Sequence, residues 1–276
     1  MKKINNLLKS FLTVLFVFCI FKTDVLCCNL KIISEDSRQW IPEYYNLYYF
    51  RADKKAKFEE YDKLVDSFEA KWIRYSKANI WIKRIENTAD LDAANKDLKL
   101  KKNQRFVFLL ASPSGKIIWS RRYGKKVTIE DIENIIASPM KTKIAESLKK
   151  KNNTVLLYVS DRKSEEAKKL YPEMKSALKI CEELYNITVS ILWLDPNDVN
   201  ESFLLKNLEI PQGDKNISVA FLLGNAKVMF VLKDKTITKD QILDRMRAAN
   251  WNCSCMNSPE SYGEDLLMET ISGEGN

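Results

Sequence analysis

The same pattern of residues occurs twice in this chain, which limits the fold more than any single motif does. Arg105–Ile136 reads RFVFLLASPSGKIIWSRRYGKKVTIEDIENII, and Ser218–Met246 reads SVAFLLGNAKVMFVLKDKTITKDQILDRM. Each is an apolar run, a tight turn, a second apolar run, a basic stretch, then Thr-Ile and an amphipathic segment. Phe106–Leu110 and Val219–Leu223 are short, apolar and bounded by turn residues, the pattern of buried strands. Ser114-Gly115 and Gly224-Asn225 supply the hairpin turns. Thr128 and Thr238 stand where helix N-caps belong, with Asp131 and Asp240 in the first turn.

The upstream halves match as well. Asn46–Arg51 (NLYYFR) and Thr154–Ser160 (TVLLYVS) read as strands. A long helical pattern follows each. Phe58, Tyr61, Leu64, Val65, Phe68 and Trp72 share one face of the first; Ala167, Leu170, Tyr171, Met174, Leu178, Cys181 and Leu184 share one face of the second. Then come strands at Asn79–Lys83 and Thr188–Leu194, and polar helical stretches near Asp90–Leu100 and Asp198–Leu208. Both copies therefore run strand, helix, strand, helix, strand, strand, helix. Strands separated by helices pair in parallel, and a tight turn makes an antiparallel hairpin. The expectation is an α/β protein of two tandem units, each a mixed four-stranded sheet flanked by helices. Their bounds are 29–139 and 154–255, with a linker at 140–153 that Ile144 and Leu148 mark as a short helix. The acidic, aperiodic stretch 256–276 reads as a flexible tail.

Residues 1–28 stand outside this pattern. Three lysines precede FLTVLFVFCIF at 11–21, a basic region and a short apolar core that read as an export signal. Eleven residues are too few to span a bilayer. The expected location is periplasmic or secreted, with membrane attachment only through the signal or, as a minor option, a lipid on Cys28. The signal carries +3 of the formal +8 charge, leaving +5, too mild to argue for nucleic acid.

This order of elements resembles the thioredoxin-like superfamily, twice over. Pro172 falls where thioredoxins kink their long helix, and the distance from it to the following strand matches theirs. The family's Cys-x-x-Cys would open that helix, where the helix N-terminus lowers a thiol pKa. Here those places hold Ser164 and Ala167, and Lys55–Phe58 in the first copy has no cysteine either. The family's cis proline before the third strand is replaced by Gln104-Arg105 and Ile217-Ser218. Ordinary thioredoxin catalysis is therefore not expected.

Composition narrows the remaining chemistry. Among 276 residues there is no histidine, which removes the commonest general base and zinc ligand. No glycine-rich phosphate loop occurs, and neither cofactor nor metal is expected. Cys28, Cys181, Cys253 and Cys255 are the disulfide candidates once the signal is gone. Cys181, on an apolar helix face, also reads as a small buried hydrophobe. Cys253-Ser254-Cys255 is the one cluster with a catalytic alternative: a strained, oxidising disulfide, or two thiolates for copper(I). Glu59-Glu60, Glu165-Glu166 and Glu182-Glu183 read as solvated faces, and Trp72, Trp81, Trp119 and Trp193 as core. Tyr44, Tyr45, Tyr48 and Tyr49 read as half strand alternation and half possible binding surface.

The role implied is non-catalytic: a protein or peptide client is bound, or its folding assisted, outside the cytoplasm. The alternative is thiol–disulfide exchange through Cys253 and Cys255. The residues name neither a client nor an oligomeric state. Mass spectrometry of the mature protein without reductant is expected to find Cys253 or Cys255 bridged elsewhere, as to Cys28. A mutually bridged or free pair would favour the redox alternative.

Overall fold

The structure is a computed structural model, and it describes residues 41–51, 58–100, 106–250 and 263–271. The first unit comprises β1 (Tyr45–Phe50), α1 (Glu59–Phe68), β2 (Ile80–Ile85), α2 (Thr88–Asp97), β3 (Phe106–Ala111), β4 (Ile117–Arg122) and α3 (Ile129–Ile136). A π-helical turn, Glu69–Ile73, extends α1. Next come α4 (Pro139–Leu148), β5 (Asn153–Val159), α5 (Glu165–Tyr185) and β6 (Thr188–Leu194). They are followed by α6 (Ser202–Asn207), β7 (Ser218–Leu223), β8 (Lys227–Lys233) and α7 (Lys239–Asn250).

Each unit holds a four-stranded sheet, ordered β2-β1-β3-β4 in one and β6-β5-β7-β8 in the other. The first two strands of each are parallel and the last two add antiparallel. This is the mixed four-stranded arrangement expected from the sequence, present in tandem. The local signals act as expected. Thr128 and Asp131 form a reciprocal capping box, satisfying two otherwise orphaned N–H groups. Thr238 Oγ1 accepts from Gln241 N. Gly115 and Gly224 take positive φ at the two hairpin turns.

The sheets are covered on both faces, so their central strands read as continuous apolar runs. In the first unit α1 and α3 cover Tyr45, Leu47 and Tyr49, while α2 covers Tyr48 and Phe50. Three of the four tyrosines are thus core, and Tyr44 packs its ring on Trp81 at 5.0 Å. Trp81 itself is 49% exposed, a departure from the core expected of it. It lies on an edge strand, on the face where α2 reaches Ile85 but leaves Trp81 open.

Two further regions add to the sequence reading. The short helix expected in the linker is present as α4, which seats Ile144, Ala145 and Leu148 against β5 and α6 as one layer of the second unit. Within the expected tail, Gly263–Ile271 is a strap between the units. It makes one antiparallel bridge to β8 (Lys227 with Asp265) and one to the residue before β2's entry (Ala78 with Glu269). Leu267 enters the core of the first unit, while Leu266 and Met268 enter that of the second. Strand alternation sends neighbouring residues to opposite sides, so three adjacent apolar residues anchor two cores. Gly263 is required for close approach, because a Cβ there would meet Val228 O at 2.8 Å. Truncating Leu267, which is fully buried, to alanine is expected to cost about 2–5 kcal/mol, measured by denaturant unfolding.

Candidate functional site

The units meet around one buried ammonium. Lys227, 2% exposed, opens β8. Its Nζ lies 3.1 Å from Glu43 Oε1 and 3.6 Å from Asp265 Oδ1. Glu43 and Asp265 then exchange bonds: Glu43 N donates to Asp265 Oδ2 and Asp265 N to Glu43 Oε2, both at 2.9 Å. Tyr45 Oη donates to Asp265 O at 2.8 Å and accepts from Asn207 Nδ2 at 2.9 Å. Burial pushes the Tyr45 phenol up, and the surrounding carboxylates add to this. The approach to β1, the end of α6, β8 and the strap are therefore tied at one point.

A second buried cation lies behind it. Lys141 Nζ donates to Ile135 O at 2.5 Å and Leu267 O at 2.7 Å, joining the end of α3, α4 and the strap. Burial pushes its ammonium down to about 7, opposed by Glu201. Glu201 is buried as well. It takes the Ser138 hydroxyl at 2.5 Å and the Met140 N–H at 2.7 Å, closing the N-terminus of α4.

In front of the Lys227 cluster a cleft of about 560 Å³ opens between the units. Ser114, Lys116 and Ile118 of the β3–β4 hairpin form one wall; Val228 to Val231 and Lys233 of β8 form the other. The strap and the residues ending α6 form the floor. Lys116, Lys206 and Glu209 also line a neighbouring hollow of about 580 Å³ that includes Pro211 and the exposed Val199. Lysines rim the opening. Lys116 Nζ contacts Glu209 Oε1 at 2.5 Å, Lys233 Nζ donates to Glu209 O at 2.8 Å, and Lys206 Nζ donates to Ile118 O. Burial, with help from Lys116, lowers the Lys206 pKa; the Lys116 hydrogen bond and charge, then Lys233, lower that of Glu209.

The strap pairs with β8 only at its start, where Val228 N donates to Glu264 O and Gly263 N to Val228 O. Beyond Val228, among the described residues, no strand pairs with the outer edge of β8. The cleft wall is thus an open row of backbone donors and acceptors between apolar side chains and lysines. Such an edge is a template for another extended chain.

Cys28, Cys253 and Cys255 lie outside the described residues. Cys181 is fully buried on α5, and burial pushes its thiol up to about 11, which suits a core position. At the opening of α5, Ser164 is the N-cap and its Oγ accepts from Ala167 N. No group of three metal-ligating side chains occurs among the described residues. The sequence reading missed Asp265, taken as part of a tail, and Glu201, taken as part of a polar helix. An acidic residue followed by three apolar ones (Asp265 to Met268) is the signal that marked the strap.

No protein-family model matches the chain, and no curated protein matches it. Solved structures do resemble it. The first two thioredoxin domains of Naumovozyma dairenensis Eps1p share 13% identity over 78% of this chain and 95% of theirs, with a TM-score of 0.28. The bb fragment of ERp72 shares 11% over 79% and 94%, with a TM-score of 0.28. The zinc-bound form of human ERp44 shares 10%, with a TM-score of 0.28; the match covers 77% of this chain and 56% of that one.

Burial pushes the Asp265 carboxyl up to about 6 from 3.8, against the opposing pull of the Glu43 N–H and Lys227. The native state therefore holds a proton that the unfolded chain has lost between these two values. Stability from this group is full below about 3.8 and is lost as pH rises through about 6. Unfolding free energy measured across this window should fall for the wild type, and Asp265→Asn should flatten the slope.

Proposed function

We propose that the protein holds an extended segment of a client protein in the cleft between its units, as a non-catalytic binding or folding-assistance module. The observation that carries this reading is the outer edge of β8, unpaired beyond Val228 among the described residues, forming a cleft wall. Main-chain bonding gives affinity with little demand on client sequence, while flanking side chains set preference. Phe230 and Val231 present apolar surface, and Lys116, Lys206 and Lys233 favour carboxylates. A client segment that is apolar with acidic residues fits both.

Two features count against thiol chemistry as the principal role. The helix that would carry a reactive thiol opens on Ser164 and Ala167, and the thiol of Cys181 is buried and held protonated. The basic, apolar N-terminal 28 residues support a place of action outside the cytoplasm.

The test uses a permanently unfolded, carboxymethylated protein as the client. Binding should be saturable and weakened about tenfold or more, which is ~1.4 kcal/mol, by Lys116→Glu combined with Lys233→Glu. It should be unchanged in Cys253→Ser/Cys255→Ser. Insulin reduction that disappears in that cysteine variant would replace this reading with the oxidoreductase one.

A further inference from the structure

The two sheets protect their opposite edges differently. In the first, β2 ends in Lys83, Arg84 and Ile85, and Arg84 is tied to Asp66 and Glu69 at 2.9 Å. Charges of this kind block edge-to-edge pairing. In the second, β6 reads TVSILWL, with no charge from Thr188 to Leu194. It is the end strand of its sheet, and among the described residues nothing pairs with its outer side.

The register fixes which groups face outward. Thr188 N donates to Asn152 O and Leu194 O accepts from Ser160 N. Residues 188, 190, 192 and 194 thus spend their backbone groups on β5, and Val189, Ile191 and Trp193 direct theirs to the open side. Among the described residues only the Val189 N–H is answered, by Glu182 Oε1 at 2.7 Å. The side chains of these three residues share the α5–α7 face and are only partly buried.

The geometry points to a second copy of this chain as the occupant of the β6 edge, in antiparallel pairing about a two-fold axis at Ile191. This register places Ile191 opposite Ile191, and Val189 of one copy opposite Trp193 of the other. All three outward-facing residues then fall at hydrogen-bonded positions: the two Ile191 residues exchange both of their N–H···O bonds, and each Trp193 N–H meets Val189 O of the other copy, while the Val189 N–H keeps its Glu182 partner. Because the axis is perpendicular to the sheet, the apolar side chains of both copies meet on one face, giving aliphatic–aromatic cross-strand pairs. No charge has to be neutralised along the strand, so the edge is complementary to itself. The two four-stranded sheets continue as one, and the β8 clefts remain at its far ends, free for clients.

Analytical ultracentrifugation of the full chain should show mass rising toward twice that of the protomer as concentration increases. Over the same series, the amide hydrogens of Ile191 and Trp193 should exchange more slowly. Ile191→Pro removes one outward N–H and leaves the β5 ladder intact, since Pro is tolerated on a free edge; it should remain monomeric. Should that variant fail to melt cooperatively, the wild-type exchange series decides by itself. A single protomer mass at every concentration, with exchange at residues 191 and 193 independent of concentration, overturns the proposal. So does protection of these amides only when a client is added.

Discussion

An ammonium group with almost no access to water holds this molecule together. Removing Lys227 from water costs several kcal/mol, and a neighbouring carboxylate offsets that cost only when the geometry is good and the other polar atoms are satisfied. Here Glu43 and Asp265 satisfy one another's backbone N–H groups while both face the lysine. The arrangement works only if the approach to β1, the start of β8 and the strap are all present. Loss of any one leaves buried charge without a partner. The relative placement of the units, and so the cleft between them, depends on that mutual requirement.

Two sheets of the same strand order differ at their edges. Both have a hairpin strand on one edge and a parallel strand on the other. The β4 edge stands at the seam near α6, while β8 is paired with the strap at one end and, among the described residues, open along the rest. The parallel edges diverge through composition alone: Lys83 and Arg84 against Ile191, Leu192 and Trp193.

The repeated pattern was legible because its signals are local. Buried strands, Thr caps with a following Asp, and glycine at the hairpins each act within a few residues. Their recurrence at matching offsets gave the element order and the mixed four-stranded sheets. The strap escaped because Leu266, Leu267 and Met268 lie in an acidic, aperiodic stretch, and their partners lie about forty residues or more back along the chain. The cleft escaped for the same reason: each of its walls is an ordinary piece of hairpin or helix end. Trp81 was misplaced because alternation reports which face a side chain takes, while the neighbouring helix decides whether that face is covered.

The strap also bears on the order in which the molecule can be made. Leu267 completes the core of a unit whose other strands lie before residue 123, so that core stays open while some 140 further residues are synthesised. Chains elongate at about 5–20 residues per second and fold from the N-terminus, so the first unit waits several seconds or longer with an apolar gap. During that interval the second sheet forms from strands close in sequence. The last step is a long-range closure in which both units and the strap lock at once. A chain that ends prematurely, or whose final segment is diverted, would leave an exposed core site on the first unit for chaperones and proteases to recognise.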